Sequence, residues 1–321
     1  MMPRFAHVRP TTLDEALRQL SAPGARAHAG GTDLLGCLRD GVFEVSTVVS
    51  LARLEALRGI RETAGGLSIG ALTTLSEVAS SPVVKERFRA LAEASREVGS
   101  PQLRNQGTLG GNLCQRPRCW YYRGDFHCAR KGGDTCFAIN GENRYHAILG
   151  GGPCFIVHPS DTAAALLSLG AAVRIAGRSG KRTIPLDAFY VLPAKDLFKE
   201  NVLSPGELVT EVLVPPPAPG LASSYRKVRE RGAWDFALAG VAIALTRRDG
   251  RVSEARVSLS GVAPVPWRAK GAEEALRGRP LDRETAVLAA EAAVRGAAPL
   301  AQNGYKAPLV RGIVEEALLA L

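Results

Sequence analysis

Apolar and polar positions change rhythm along this chain, and each change marks an element. Over residues 12–20 the apolar positions recur at helical spacing. Thr12-Leu-Asp-Glu15 has the spacing of a capping box, so a short amphipathic helix is predicted there. Residues 45–51 and 66–71 alternate with a period of two, as half-buried strands do, and the second leads into TTLSEVA, a helix start. Residues 83–98 read as one helix of mixed pattern ending at Gly99. Residues 162–171 are almost all apolar and predict a helix with Asp161 at or near its N-cap. Strands are predicted at 172–176 and 211–214, and Pro215-Pro-Pro-Ala-Pro-Gly220 is the clearest linker. Beyond it, strands are expected at 224–229, 237–247 and 255–261. The Ala/Leu/Glu-rich stretch 269–321 then predicts about three helices.

Short strands and helices alternating before Gly107, then a run of strands followed by helices, predict an α+β fold. A chain of 321 residues is too long for one average domain. Hydrophobic content of 46% and charged content of 22% are ordinary for a soluble globular protein. The net charge of +10 calls for a solvated basic surface or an acidic partner. Nucleic acid is not expected, because aromatics are only 6% and arginine is spread over all segments. The first twenty residues carry charge and proline where a signal peptide needs an apolar run. The longest such run, FALAGVAIAL at 236–245, is too short for a membrane span. A cytoplasmic protein is expected, or a periplasmic one if it is exported with a signal-bearing partner.

Two stretches carry candidate chemistry. In Ala27-His-Ala-Gly-Gly-Thr-Asp-Leu-Leu35, the pair Gly30 and Gly31 permits positive φ and close backbone approach to a ligand. Successive N–H groups in such a turn form an anion-binding concavity. On residue types alone a plain strand–turn–helix junction is the favoured reading. It lacks G-x-G-x-x-G and the Walker lysine. The second stretch, 107–161, opens with GTLGGN, closes with HPSD and holds five of the six cysteines. Cys119, Cys128, Cys136 and Cys154 are separated by eight, seven and seventeen residues, unlike the short C-x2-4-C knuckles of zinc sites. Long glycine-rich gaps suit an iron–sulfur cluster wrapped by an irregular loop; a zinc loop and ordinary buried thiols stay open as alternatives. Arg116, Arg118, Arg123, Arg130, Lys131 and Arg144 would stabilise thiolates there. Cys37, alone among apolar neighbours, reads as a core residue.

AGGTDLL, GALTTLSEVA, TLGGN, HPSD, LSPGELVTEVLVP and GVAPVPWRA occur in this order over nearly the whole chain. The ordered set resembles the FAD-binding (medium) subunits of molybdenum hydroxylases, the xanthine dehydrogenase and carbon monoxide dehydrogenase family. In most of those subunits the stretch between TLGGN and the SD turn is short. The cysteine-bearing insertion at about 114–156 resembles the flavin subunits of 4-hydroxybenzoyl-CoA reductase and periplasmic aldehyde oxidoreductases, which carry an extra 4Fe–4S cluster.

The resemblance implies a two-subdomain FAD-binding domain of the PCMH (vanillyl-alcohol-oxidase-like) type, 1–57 and 58–216. A C-terminal α+β domain with a three-stranded antiparallel sheet follows at 221–321. It implies that Arg26, Ala27, His28, Ala29, Gly30, Gly31, Thr32, Asp33 and Leu34 wrap the FAD pyrophosphate. Thr108, Gly111 and Asn112 would line a second flavin loop, Asp161 would bond a flavin-chain hydroxyl, and Leu203 and Lys227 would contact the isoalloxazine. Cys119, Cys128, Cys136 and Cys154 would hold the 4Fe–4S cluster, with Cys114 outside the ligand set. No substrate-converting catalytic residue is implied in this chain. The expected partners are a large subunit with the molybdenum cofactor and a small subunit with two 2Fe–2S clusters. FAD would serve an external electron acceptor, in aldehyde or aromatic oxidation. Rival readings are a zinc- and nucleotide-binding scaffold and a stand-alone flavin oxidase.

Overall fold

The computed structural model describes residues 2–321, which build three sheets in chain order. The first is a small parallel sheet of β1 (Ala6–Val8), β2 (Ala25–His28) and β3 (Thr47–Ser50), in the order β1-β3-β2. The helix Leu13–Leu20 joins β1 to β2 and buries Ala16, Leu17 and Leu20. Its cap is half of the predicted box. Thr12 Oγ1 accepts from Glu15 N at 3.2 Å, but the Glu15 carboxylate accepts from Thr11 N at 3.0 Å. At Thr74 the box is complete, with both reciprocal bonds to Glu77 present.

The second sheet is antiparallel: β4 (Ile60–Thr63), β5 (Gly66–Gly70), β6 (Ala172–Gly177), β7 (Gly180–Pro185) and β8 (Leu208–Val214), ordered β4-β5-β8-β6-β7. Ile69, Val173, Ile175 and Val212 from its buried face pack with Phe88, Leu91, Leu109 and Leu166 from the helices over it. Here the predicted helix 83–98 breaks in two, Pro82–Arg87 and Arg89–Glu97. Phe88 leaves helical geometry (φ −137°, ψ 50°) and its side chain is fully buried in this core. The helix Asp161–Ser168 is capped by Ser160, whose Oγ accepts from Ala163 N at 3.0 Å, and not by Asp161. That frees the Asp161 carboxylate for other work.

The third sheet is antiparallel and has four strands where three were expected: β9 (Ala222–Val228), β10 (Ala239–Arg248), β11 (Arg251–Ser260) and the two-residue β12 (Trp267–Arg268). β10 is apolar on both faces because both are covered. Val241 and Ile243 face Val310, Ile313 and Val314 of the C-terminal helix Lys306–Leu319. Ala242 faces Ala90, Ala94, Ala164 and Ala165 of the preceding domain. Small residues on that second face let helices and sheet approach closely. Among the described residues no helix is long and apolar enough to cross a membrane.

The cysteine-bearing segment has little regular structure, only the helix Trp120–Arg123 and a 3-10 turn at Ala129–Lys131. Its end is pinned to the C-terminal domain by reciprocal bonds between Asn143 and Gln302. Asn303 Nδ2 bonds the His146 carbonyl, and Lys306 Nζ donates to Tyr145 O (2.9 Å) and Gly261 O (2.7 Å). Burial pushes the Lys306 ammonium from 10.5 down to about 7. The unfolded chain then holds this proton across a range where the folded chain has released it, so stability rises with pH from about 7 to about 10. Below pH 7 both states are protonated and this slope vanishes. We expect denaturant unfolding to show the rise in the wild type and a flatter profile in Lys306→Met. Parallel profiles in the two proteins would assign the slope elsewhere.

Candidate functional site

A cavity of about 430 Å³ opens where the three sheets meet. This is the size range of small-molecule and cofactor pockets. Its first wall is the turn after β2. Gly31 has φ +73°, the left-handed region that glycine tolerates. Gly30 is needed for a different reason: a Cβ there would fall 1.8 Å from the Gln106 carbonyl oxygen, so the two loops meet backbone to backbone. The second wall is the helix Leu109–Leu113. Thr108 caps it, accepting from Gly111 N at 3.2 Å. Asn112 Oδ1 accepts from Ser160 Oγ (2.5 Å) and Thr162 Oγ1 (2.6 Å), which locks TLGGN to HPSD. Gly111 lies in helical geometry, so it is required not for positive φ but for space. A Cβ there would meet only Thr108 Oγ1, at 2.9 Å.

Every residue for which the family resemblance implies a flavin role lines this cavity except His28. The His28 ring turns onto Gly31, where it would lie 2.6 Å from an added Cβ, and burial lowers its pKa. Asp161 and Lys227 are joined: Lys227 Nζ donates to Asp161 Oδ2 at 2.7 Å and to the Glu97 carbonyl at 3.0 Å. Tyr225 OH donates to Asp161 Oδ1 at 2.6 Å. The pair's side chains are 4% and 1% exposed, so the surface role that composition suggests for Lys227 does not hold. Asp33 does not cap its helix. It accepts from Arg116 N (2.8 Å) and Arg123 (2.7 Å) and forms an ion pair with Arg118 (2.9 Å), tying the glycine turn to the insertion. Arg26 stands differently. Its guanidinium lies 5.2 Å from the centre of the Phe43 ring, and its Nε is buried with no partner. Burial, then Arg116, lowers its pKa.

A half-buried guanidinium with an orphan buried donor beside a glycine turn fits a pyrophosphate. The narrow slot between two backbone walls likewise fits the remainder of an FAD. Residues outside the predicted set also line the cavity: Arg116, Arg118, Glu207 and the rim residues Trp234, Asp235 and Phe236. Trp234 is 60% exposed with φ +75°, held by its N–H to Gly99 O at 3.0 Å. No local pattern in RGAWDFA announces a cavity rim.

Cys119, Cys128, Cys136 and Cys154 all line a second, smaller cavity of about 20 Å³, walled by Tyr121, Tyr122, Arg130, Phe137 and Ile156. Such a space holds about one water. Cys37 and Cys114 lie outside it, on the wall of the larger cavity. Among the described residues no carboxylate lines this second cavity, and its four cysteine sulfurs are the soft donors there. Among the described residues no three His, Cys, Asp or Glu side chains crowd one point closely enough for a single ion. The Cys136 and Cys154 thiols share a hydrogen bond that lowers Cys136 to about 6 and raises Cys154. Burial raises Cys119 to about 11. Of the six basic residues expected around the thiols, only Arg130 is on this wall, and its guanidinium bonds Glu200 and the Leu197 carbonyl. Arg116 pairs with Glu200, Arg118 and Arg123 with Asp33, Arg144 with Glu230, and Lys131 bonds the Gly124 carbonyl. Cys37, Tyr122 and Cys128 pack together between the two cavities.

Residues 3–217 match the FAD-binding domain of molybdopterin dehydrogenases, and residues 223–321 match the C-terminal domain of the carbon monoxide dehydrogenase flavoprotein. The chain is 37% identical to the aldehyde oxidoreductase FAD-binding subunit PaoB of Escherichia coli, over 97% of this chain and 96% of that one. It is 29% identical to the carbon monoxide dehydrogenase medium chain of Hydrogenophaga pseudoflava, over 99% and 97%. A solved carbon monoxide dehydrogenase from Hydrogenophaga pseudoflava superposes with a TM-score of 0.79 at 29% identity, covering 100% of this chain and 98% of the other. Quinoline 2-oxidoreductase from Pseudomonas putida gives 0.78 at 26%, covering 100% and 97%. With both domains matched end to end, the chain belongs to the FAD-binding medium subunits of the molybdenum hydroxylase family.

Proposed function

We propose that this chain is the flavin subunit of a heterotrimeric molybdenum hydroxylase that oxidises an aldehyde or an aromatic substrate. Its partners are a large subunit with the molybdenum cofactor and a small subunit with two 2Fe–2S clusters. In this reading the chain carries one FAD and one 4Fe–4S cluster and passes electrons to an external acceptor. The observation that carries the reading is the convergence of four cysteines from 119–154 on one cavity beside the flavin-sized one. The 37% identity to an aldehyde oxidoreductase subunit supports the substrate class. Each of the three sheets falls within one of the segments 1–57, 58–216 and 221–321, which supports that domain division.

FAD and the cluster, when bound, supply the electron-transfer chemistry, and the protein supplies position and electrostatics. The Gly30–Gly31 turn presents backbone N–H groups and Arg26 its free guanidinium donor to the pyrophosphate. Thr108, Gly111 and Asn112 hold the opposite wall, and the insertion buries Cys128 and Cys154 while Cys119 and Cys136 stay half-buried. Lys227 holds a positive charge at the cavity, fixed by Asp161 and the Glu97 carbonyl. The test is affinity purification of the tagged chain from its own cells. We expect two co-purifying chains, one containing molybdenum, and flavin that passes a filter after denaturation. A chain that purifies alone, or without flavin, would overturn the assignment.

A further inference from the structure

We infer that His146 donates a hydrogen bond to the sulfur of Cys119 and thereby sets the reduction potential of the iron–sulfur centre. The inference rests on the cluster reading above. His146 Nε2 lies 3.3 Å from Cys119 Sγ, within reach of a hydrogen bond to sulfur. The His146 side chain is buried, 4% exposed, and meets a half-buried sulfur. Its other ring nitrogen, Nδ1, is buried and faces the Asn143 carbonyl without hydrogen-bond geometry, that carbonyl being taken by His146 N. A proton on Nδ1 would be a buried donor without an acceptor, whereas a proton on Nε2 meets the sulfur. An iron-bound thiolate can only accept. Both facts place the proton on Nε2.

The backbone that carries the ring is fixed on both sides. His146 N donates to the Asn143 carbonyl at 3.0 Å, and its own carbonyl accepts from Asn303 Nδ2 at 3.1 Å. The imidazole also lies beside the Tyr121 ring, centroids 6.2 Å apart. The C-terminal domain thus aims a donor at one ligand of the centre. Reduction adds negative charge to the cluster and its thiolates. A donor aimed at a thiolate stabilises the reduced form and raises the potential. His146 is a positioning and tuning residue, not a ligand.

The experiment uses the whole complex, prepared without oxygen, with iron per flavin and the cluster's midpoint potential measured together. His146→Leu is expected to keep its iron and to favour reduction about tenfold less, a fall of about 59 mV for a one-electron couple. His146→Gln, whose amide N–H can stand where Nε2 stands, is expected to restore most of the potential. Full iron with an unchanged potential in His146→Leu would overturn the inference and leave the cluster reading intact. Wild type without iron would overturn both. If His146→Leu loses its iron, the wild type and His146→Gln, each with 15N-labelled histidine, decide by pulsed EPR on the reduced cluster. A histidine 15N coupling in the wild type that is absent in His146→Gln supports the contact. No such coupling in the wild type overturns it.

Discussion

Replacing any one of Cys119, Cys128, Cys136 or Cys154 with serine is expected to strip the iron from this subunit while its flavin stays. The four sulfurs line one cavity that, among the described residues, no carboxylate lines, so a serine oxygen would be a lone hard ligand in a soft-ligand site. The cavity wall is otherwise aromatic and aliphatic apart from Arg130. Flavin retention follows from geography. The Leu109–Leu113 helix is held by Ser160 and Thr162, and the glycine turn meets the insertion through Asp33 with Arg116, Arg118 and Arg123 rather than through the cysteines. Cys37→Ser and Cys114→Ser are the controls. Cys37 is fully buried against Val42 and Tyr122, and Cys114 lies on the flavin cavity, its thiol pushed up to about 12 by burial. Iron, acid-labile sulfide and zinc per flavin are the readouts. About four irons in the wild type and in both controls, lost in each of the four variants, is the expected pattern. Stoichiometric zinc without iron in anaerobically prepared wild type would leave a structural metal loop instead.

Gly111→Val is expected to weaken FAD binding at least about a hundredfold, or about 2.7 kcal/mol, in a protein that still folds. Gly111 is helical, so valine is not forbidden there by the backbone. Its branches would project into the cavity from the wall facing the Gly30–Gly31 turn, and its Cβ would press on Thr108 Oγ1 at 2.9 Å. Gly30 makes a poorer test. A Cβ there would strike the Gln106 carbonyl at 1.8 Å, so loss of flavin could not be told from loss of the loop junction. Flavin content and melting temperature of the apo form separate the two causes for Gly111→Val. Tight flavin retention in the folded variant would show that TLGGN is not at the cofactor.

Much of this fold is written locally. The caps at Thr12 and Thr74, the period-two strands β3 and β5 and the proline linker are short-range signals that tertiary contacts did not override. The glycine turns belong with them, because a backbone that must meet another backbone leaves no choice of residue at Gly30. Where the chain misled, a long-range contact had won. Phe88 breaks its helix because its ring belongs to the core under the second sheet. β7 runs almost wholly exposed at a sheet edge and carries no apolar rhythm to detect. β12 is two residues recruited by pairing with β11. Charge was the least legible feature, since a list of arginines near cysteines does not say which carboxylate each will find. Asp33 and Glu200 claim Arg116, Arg118 and Arg123, while Asp161 holds Lys227 inside the cavity. The sequence by itself determined most of the elements, the two glycine turns and the family they belong to. Only the tertiary structure decided that four distant cysteines share one cavity, and that residues 302–306 hold their loop in place. Those contacts join residues far apart in sequence, and no local preference encodes them.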